Sequence, residues 1–261
     1  MRAFPSRPLF PLFPFPSPFS PPEFSVTTAL PSTTHAVAFF DVDETLTTVK
    51  TMFDFYDFFL EAVGHTPQEQ ERLRRDARDL LRPGLPREQG NRLFYRRFAG
   101  YAAEQTQAVG RAWFAQHLRQ GGFFHQDVLA ALTAHRERGL ATVLVSGSFP
   151  AALDPVAAHV GADIVLCTRP EIRDGVYTGE VLATMIGDAK ARAARGLLSE
   201  RGIGPEECHA YGDHVSDLGL LRLVGHPVVV GDHPDLLAEA GLRGWHHLAG
   251  VPAGGPHGRQ P

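Results

Sequence analysis

The sequence predicts an α/β fold in which a Rossmann-like parallel sheet forms the core and an α-helical cap is inserted after the first strand. From about residue 126 onward, short apolar runs alternate with helical stretches, a pattern typical of a parallel sheet covered on both faces. A similar apolar run, HAVAFF, occurs much earlier, at His35–Phe40. The roughly 75 residues after it show only helical periodicity, which indicates an insertion.

The composition is that of an ordinary globular protein. Its 261 residues are 43% hydrophobic and 21% charged, and the formal net charge is −4. This charge provides no basic surface for nucleic acid or an anionic membrane, so we expect neither as a partner. The two cysteines, Cys167 and Cys208, are too few for a disulfide framework. They favour a reducing, cytoplasmic location.

The chain divides into a core, a cap and two tails. Residues 1–34 repeat Pro among Phe and Ser, and Pro excludes a regular helix or a central strand. It also interrupts any signal-peptide or membrane-spanning run, so we expect a disordered tail there. We assign residues 35–49 and 126–250 to the core, 50–125 to the cap, and 251–261 to a flexible C-terminal tail.

The cap sequence contains several helix signals. The stretch TMFDFYDFFLEAV has apolar residues at helical spacing. TPQE, at Thr66–Glu69, predicts a capping box with Pro in the first helical position, and RPG at Arg82–Gly84 predicts the end of that helix. Further helices are predicted in REQGNRLFYRRF and TQAVGRAWFAQHLRQ.

The core sequence contains four more strand signals and a hairpin. LATVLVSGS, DIVLCT, CHAYGD and HPVVVGD each read as a buried strand, the last of them closing the sheet. Asp174–Gly175, between DIVLCT and the helix DAKARAARGLLSERG, predicts a hairpin turn.

Polar residues follow three of the predicted strands. FFDVDETLTT, at Phe39–Thr48, crowds three acidic residues into four positions directly behind an apolar run. In a doubly wound sheet the ligand binds beyond the carboxyl ends of the strands. Adjacent strands lie about 4.8 Å apart, so these groups can converge on one ligand. They are Asp41 and Asp43 after the first strand, Ser146, Gly147 and Ser148 after the second, and Gly212, Asp213, Ser216 and Asp217 after a later one, with Lys190 on the preceding helix.

The residue types indicate an anion site built around a metal ion. Clustered carboxylates at Asp41 and Asp213 need a hard divalent cation, and oxygen ligands together with a phosphate suit Mg²⁺. The Ser146 hydroxyl and the backbone N–H groups of the Ser-Gly-Ser turn suit phosphate oxygens. Lys190 adds a positive charge beside them.

These motifs resemble the four signatures of the haloacid dehalogenase (HAD) superfamily of phosphohydrolases. DVDETLT is similar to its Asp-x-Asp-x-Thr motif, VLVSGS to its Ser/Thr motif, Lys190 to its lysine motif and GDHVSD to its Gly-Asp-x-x-x-Asp motif. The helical insertion resembles the C1 cap of the phosphoserine-phosphatase-like branch, subfamily IB. The resemblance covers about residues 36–248.

The resemblance implies a role for each motif residue. Asp41 would be the nucleophile and form an aspartyl-phosphate, and Asp43 would protonate the leaving alcohol and then activate water. Mg²⁺ would be held by the Asp41 carboxylate, the Asp43 main-chain carbonyl and Asp213, with Asp217 in a supporting position. Ser146, Gly147, Ser148 and Lys190 would bind the phosphate.

The cap offers weaker signals about the substrate. In phosphoserine phosphatases a Glu nine residues after the nucleophile recognises the amino group, and this position is Lys50 here. Lysine repels an ammonium group and attracts anions, so the sequence favours a substrate other than phosphoserine. Further candidates for substrate contact are Arg92, Arg96, Arg97, His214, and either Phe53 or Tyr56.

The expected function is Mg²⁺-dependent hydrolysis of a small-molecule phosphate monoester. One alternative is a phosphotransferase that passes the aspartyl-phosphate to an acceptor other than water. Another is a non-catalytic protein that binds a phosphorylated ligand. An acid/base group at Asp43 favours turnover, because a binding protein needs none.

Overall fold

A computed structural model describes residues 34–82 and 84–250 of the chain. The predictions of a disordered tail before residue 34 and a flexible tail after residue 250 concern residues outside this range. Within the range, Cys167 and Cys208 are buried and free, and no helix is both long and apolar enough to cross a bilayer. The cytoplasmic location stays a prediction.

Six of eight strands in the described residues form a parallel sheet in the order β3-β2-β1-β6-β7-β8. This confirms the predicted α/β class. The chain runs from β1 outward to β3 and then crosses to β6, which places the topological switch point between β1 and β6 at the centre of the sheet. The strands are β1 Val37–Asp41, β2 Ala141–Ser146, β3 Ile164–Cys167, β4 Arg169–Arg173, β5 Val176–Ala183, β6 His209–Gly212, β7 His226–Val230 and β8 His246–Leu248.

Helices connect the strands and cover the sheet. Five of them lie between β1 and β2 in the chain, and the first four fall where the sequence predicts the cap. The helices are α1 Thr51–Ala62, α2 Pro67–Arg78, α3 Arg87–Tyr95, α4 Ala103–Gln120, α5 Gln126–Glu137, α6 Pro150–Val160, α7 Asp188–Arg201, α8 Leu218–Leu221 and α9 Pro234–Arg243. The domain boundaries stay a prediction.

The central strand buries both of its faces. Alternate residues of a strand point to opposite faces of the sheet. Val37 and Phe39 therefore pack in the cluster that includes α7, α8 and α9. Phe40 packs in the other cluster, with residues of α5, α6 and the insertion. The continuous apolar run of β1 follows from this double burial.

Aromatic side chains hold the insertion together and join it to the core. The ring of Phe98 lies 5.1 Å from that of Phe59 and 5.0 Å from that of Phe149, which directly precedes α6. Phe55 also packs edge-on against Phe149, at 5.4 Å. Aromatic pairs of this kind stabilise a fold beyond the area that they bury.

The predicted hairpin is confirmed as β4–β5. Its turn residues, Asp174 and Gly175, both have positive φ, 52° and 77°, as a tight two-residue turn requires. The hairpin extends to the insertion, because Tyr177 exchanges backbone hydrogen bonds with Gly100 and Tyr101 at 2.9 and 3.0 Å.

Two parts of the secondary structure differ from expectation. The predicted last strand, β7, is followed by α9 and by the edge strand β8, whose sequence His-His-Leu has little strand character. Helix α2 has the predicted capping box at Thr66 and Glu69, but it ends at Arg78, before the expected Arg82–Gly84. One 3₁₀ turn, Asp79–Leu81, continues the chain there.

Candidate active site

The candidate site lies at the carboxyl end of β1, at the switch point of the sheet. Asp41 is the last residue of this strand and pairs in register with Val145 of β2. Ser146 therefore lies on the neighbouring strand, one residue further on. On the other side, β6 ends at Gly212, directly before Asp213. A Cβ atom at Gly212 would lie 2.7 Å from the Cβ of Asp217, so this close approach requires glycine.

A threonine links the carboxylates of the two strands. After β1 the chain makes one wide turn, Val42–Leu46, in which Glu44 has a positive φ of 62°. This turn brings the buried hydroxyl of Thr45 to 3.2 Å from Asp41 Oδ2 and 3.0 Å from Asp213 Oδ1. Thr45 thus fixes the spacing between two groups that would repel each other when both are ionised.

Lys190 supplies the positive charge among these acids. Its Nζ donates hydrogen bonds to Asp41 Oδ1 at 2.5 Å and to Asp217 Oδ1 at 2.6 Å, and all three side chains are buried. Burial by itself would lower the pKa of Lys190, but the carboxylates of Asp217 and Asp41 outweigh it and raise that pKa. The lysine is therefore charged at neutral pH.

Asp43 is held by Thr51, the first residue of α1. Its Oδ1 accepts hydrogen bonds from the backbone N–H of Thr51 at 2.8 Å and from the Thr51 hydroxyl at 2.5 Å. Burial raises the pKa of Asp43, and the two hydrogen bonds from Thr51 oppose this rise. A raised carboxyl pKa favours a group that must carry a proton at some stage of a reaction.

The Ser-Gly-Ser turn after β2 is also tied to the insertion. Ser146 Oγ accepts a hydrogen bond from the Ser148 N–H at 2.9 Å. The Gly147 carbonyl accepts one from Asn91 Nδ2 at 2.8 Å and one from Tyr95 Oη at 3.0 Å, both from α3. Both ends of the Gly147–Ser148 peptide are thus fixed, and neither Asn91 nor Tyr95 was predicted from the sequence.

The acidic cluster fits a hard divalent cation. Oxygen atoms of Asp41, Asp213 and Asp217 lie within 4.8 Å of one another. Burial, followed by the nearby Asp217, raises the pKa of Asp213 to about 6. Burial also raises the pKa of Asp41, although Lys190 opposes it. Three carboxylates lie together with one lysine, Lys190, so negative charge stays uncompensated. An oxygen-only donor set suits Mg²⁺.

The carboxylates open into a cavity of about 310 Å³ between the core and the insertion. The predicted residues Asp41, Asp43, Gly147, Lys190, Asp213, Ser216 and Asp217 all line it. Ser146 and Ser148 are fully buried and are not among the lining residues. Their role in phosphate binding stays a prediction.

Only some of the predicted substrate-contact residues line the cavity. Lys50, Phe53 and His214 line it, whereas Tyr56 packs against Phe94 and Phe98. The three predicted arginines have other partners. Arg92 donates to the Val181 carbonyl, Arg96 lies 4.0 Å from Glu180, and Arg97 donates to the Asp76 carbonyl.

The arginine that does line the cavity is Arg87, which sequence reasoning missed. One of its guanidinium nitrogens lies 2.7 and 2.8 Å from the two ring nitrogens of His214. Burial, followed by Arg87, lowers the pKa of His214 to about 4. Arg87 stands at the first position of α3, and its local sequence carries no signal that separates it from the other arginines of the insertion.

Known proteins resemble this chain in sequence and in fold. The family model described as haloacid dehalogenase-like hydrolase matches residues 38–222. A probable phosphatase of Mycobacterium tuberculosis is 40% identical over 118 residues, which are 45% of this chain and 41% of that protein. The chain thus spans less than half the length of this relative.

Two solved structures show the same fold. A protein of unknown function from Bordetella pertussis superposes with a TM-score of 0.74 at 24% identity, over 83% of this chain and 99% of that one. A probable phosphoserine phosphatase from Vibrio cholerae superposes with a TM-score of 0.62 at 18% identity, over 85% of this chain and 63% of that one.

Proposed function

The chain belongs to the haloacid dehalogenase-like hydrolase family, and we propose that it is a Mg²⁺-dependent phosphatase that hydrolyses a small-molecule phosphate monoester. The observation that carries the proposal is the position of Asp41. Its carboxylate lies between Lys190 and Thr45, at the carboxyl end of the central strand and on the wall of the cavity. A substrate phosphoryl group in this cavity would meet a nucleophilic oxygen and a cation together.

The first chemical step assigns roles to both acids of the first motif. An oxygen of Asp41 attacks phosphorus and forms an aspartyl-phosphate, while the bond between phosphorus and the ester oxygen breaks. Asp43 donates its proton to that oxygen, so the leaving group departs as an alcohol. In the second step Asp43 takes a proton from water, which attacks phosphorus and releases inorganic phosphate and free Asp41.

The remaining residues supply charge and orientation. The barrier to be overcome is that of phosphate-monoester hydrolysis, and its reduction is on the order of 20 kcal/mol or more. Mg²⁺, held by the side chains of Asp41 and Asp213 and by the main-chain carbonyl of Asp43, would neutralise charge on the phosphoryl oxygens. Lys190 orients Asp41 and offsets its charge.

We assign Asp217 to positioning, because its hydrogen bonds join Lys190 to the loop after β6. Oδ1 accepts from Lys190 at 2.6 Å, and Oδ2 accepts from the His214 N–H at 3.2 Å. Ser146, Gly147 and Ser148 are assigned to the phosphate oxygens through the turn that they form. A closed insertion would exclude water from the cavity.

Release of p-nitrophenol from p-nitrophenyl phosphate, with and without Mg²⁺, tests this function. We expect release that stops after chelation and returns when Mg²⁺ is added. Asp41→Asn should abolish it, because the amide is not nucleophilic. Asp174→Asn is the matched control, since Asp174 lies in the hairpin turn, where asparagine also tolerates a positive φ.

Two results would count against the proposal. Activity of Asp41→Asn near that of the unmodified protein would remove Asp41 from its role. If the unmodified protein shows no metal-dependent release even at high concentration, a non-catalytic protein that binds a phosphorylated ligand would be favoured. Phosphorylated glycerol, formed when glycerol is present, would instead indicate phosphotransfer.

A further inference from the structure

Two groups of charged residues line the cavity. One is the acidic cluster around Asp41, Asp213 and Lys190. The other is a pair of cations, Lys50 directly before α1 and Arg87 at the start of α3. Neither cation contacts the acidic cluster through any hydrogen bond or ion pair in the described part of the chain.

Arg87 has an uncompensated charge. Its close polar contact is the ring of His214, at 2.7 and 2.8 Å. An imidazole carries no negative charge in any protonation state, so it cannot neutralise a guanidinium group. Among residues 34–82 and 84–250, no carboxylate pairs with Arg87, whereas Arg72, Arg74, Arg75, Arg78, Arg92 and Arg96 of the insertion each have one.

Lys50 has a partner that a ligand can replace. Its Nζ lies 3.2 Å from Glu44 Oε2, and the two side chains are 49% and 36% exposed. An ion pair between exposed side chains contributes little to stability, because water solvates both groups well. Lys50, Glu44 and Arg87, which all line the cavity, together carry one net positive charge.

An apolar wall also lines this cavity. It consists of side chains from the insertion and one from the segment before α7, and it includes the 52% exposed Leu81. Such a wall favours an apolar body in the bound molecule, since burying apolar surface from both partners is favourable. The wall residues are Met52, Phe53, Leu80, Leu81, Leu85 and Ile186.

We infer that the substrate is a phosphate monoester with an apolar body and a second oxyanion, a carboxylate or a second phosphate. Arg87 and Lys50 bind this second oxyanion, and the insertion wall packs against the body. A guanidinium group matches the geometry of a carboxylate or phosphate through two parallel hydrogen bonds. The inference rests on the proposed function and adds its substrate class.

A matched series of aryl phosphates tests this inference. Phenyl phosphate, 4-carboxyphenyl phosphate and 4-(aminomethyl)phenyl phosphate share the reacting group and the apolar ring but differ in distal charge. With Mg²⁺ present, we expect kcat/KM for the carboxylate to exceed that for phenyl phosphate by on the order of tenfold. The ammonium compound should be the poorest of the three. A fourth compound, 4-phosphonophenyl phosphate, shows which oxyanion the site prefers.

Two variants test whether Arg87 and Lys50 cause the preference for the carboxylate compound. Arg87→Gln and Lys50→Gln should each lower the ratio of kcat/KM between the carboxylate and phenyl phosphate, and Arg87→Gln should lower it more because its charge is unpaired. Arg75→Gln is the matched control, since Arg75 is an exposed arginine of α2 that pairs with Glu71. It should keep the ratio of the unmodified protein.

Failure of this inference is distinct from failure of the proposed function. A preference for the ammonium compound, or a ratio that Arg87→Gln leaves unchanged, would overturn the second-oxyanion site while phosphatase activity persists. If no ester is hydrolysed, the proposed function fails, and calorimetry still tests the site through phenylphosphonate and 4-carboxyphenylphosphonate. Tighter binding of the carboxylate compound supports the site, and equal affinities reject it.

Discussion

Each end of the central sheet carries a cluster of ionisable side chains, and the two clusters differ in charge. The carboxyl end gathers the aspartates of the candidate site around Lys190. The amino end gathers histidines, because His209 and His226 begin β6 and β7 in register and their rings stack at 4.7 Å. His135 of α5 lies 4.2 Å from His209 and shares a hydrogen bond with Tyr211 Oη at 2.9 Å.

The carboxyl end keeps its charge, whereas the amino end loses it. Lys190 forms buried ion pairs with Asp41 and Asp217, so opposite charges remain together. At the amino end, burial followed by the neighbouring His135, His226 and Arg138 lowers the pKa of His209 to about 4. His209 is therefore neutral at pH 7. A cluster that retains charge can act on a charged ligand, whereas a neutral histidine offers no charge for that purpose.

Lys190→Met should give the largest effect, because it removes the one cation that this comparison depends on. Two buried carboxylates, Asp41 and Asp217, would lose their partner, which costs about 3–5 kcal/mol in the free energy of unfolding. Activity should fall by at least about 10²–10³-fold, since an oriented charge beside the reacting groups is lost. Urea unfolding and p-nitrophenyl phosphate turnover measure the two effects.

Lys50→Met is the matched control for stability, since the same substitution there removes only a half-exposed ion pair. Its free energy of unfolding should change by no more than about 0.5 kcal/mol. Equal stability of the two variants would mean that the buried pairs of Lys190 contribute nothing, and the contrast between the two ends of the sheet would be wrong.

The position of the aspartates and Lys190 at the carboxyl end of the sheet could be predicted, because the sequence signals for it are local. An apolar run ending in Asp41, or in the turn at Ser146, marks a strand end without reference to the rest of the chain. The helix that carries Lys190 was equally visible. The placement of these residues around one cavity then follows from the parallel sheet, whose strand ends share one edge.

The contacts made by the insertion could not be predicted in this way. Arg87 faces the cavity and Arg92 does not, although both lie on α3, because their neighbours come from distant segments. Helix α9 and strand β8 were missed for a related reason. The three residues His246–Leu248 have no strand pattern of their own, and pairing with β7 makes them a strand.

Asn91 and Tyr95 offer a test of how far the carboxyl end depends on the insertion. Both donate to the Gly147 carbonyl, so the loss of one leaves the other to hold the peptide. Asn91→Ala and Tyr95→Phe should each lower kcat/KM by about fivefold, the loss expected for one hydrogen bond of about 1 kcal/mol. The double variant should lose more than the product of the two, because the residues share one acceptor.

The inhibition constant of inorganic phosphate should rise in each single variant and rise most in the double variant, since the turn is assigned to phosphate binding. Tyr101→Phe is the matched control. Its hydroxyl lies 3.3 Å from His65 Nε2, within the insertion. If the double variant shows only the product of the single effects, the two donors act independently, and the insertion does not hold the turn as a unit.

The smallest expected effect is a pH dependence of stability that arises at the amino end. The folded-state pKa of His209, about 4, lies below its ordinary value of about 6.5, so the unfolded chain takes up the proton first. The stability that this residue contributes is complete above about pH 6.5 and is lost as the pH falls towards 4. Because His209 is partly exposed, solvent screening limits the effect to about 1 kcal/mol.

The free energy of unfolding of His209→Gln, measured at acid and at neutral pH, isolates this contribution. The comparison with the unmodified protein is needed because carboxyl groups with raised pKa values, such as Asp213, change stability in the opposite direction over the same pH range. The variant should lose less stability than the unmodified protein between pH 6.5 and 4. Arg138→Gln should show an intermediate loss, because Arg138 is one of the charges that lower the pKa of His209. Identical pH profiles for all three proteins would mean that the amino end does not shed charge on folding, and the two ends of the sheet would then differ only in residue type.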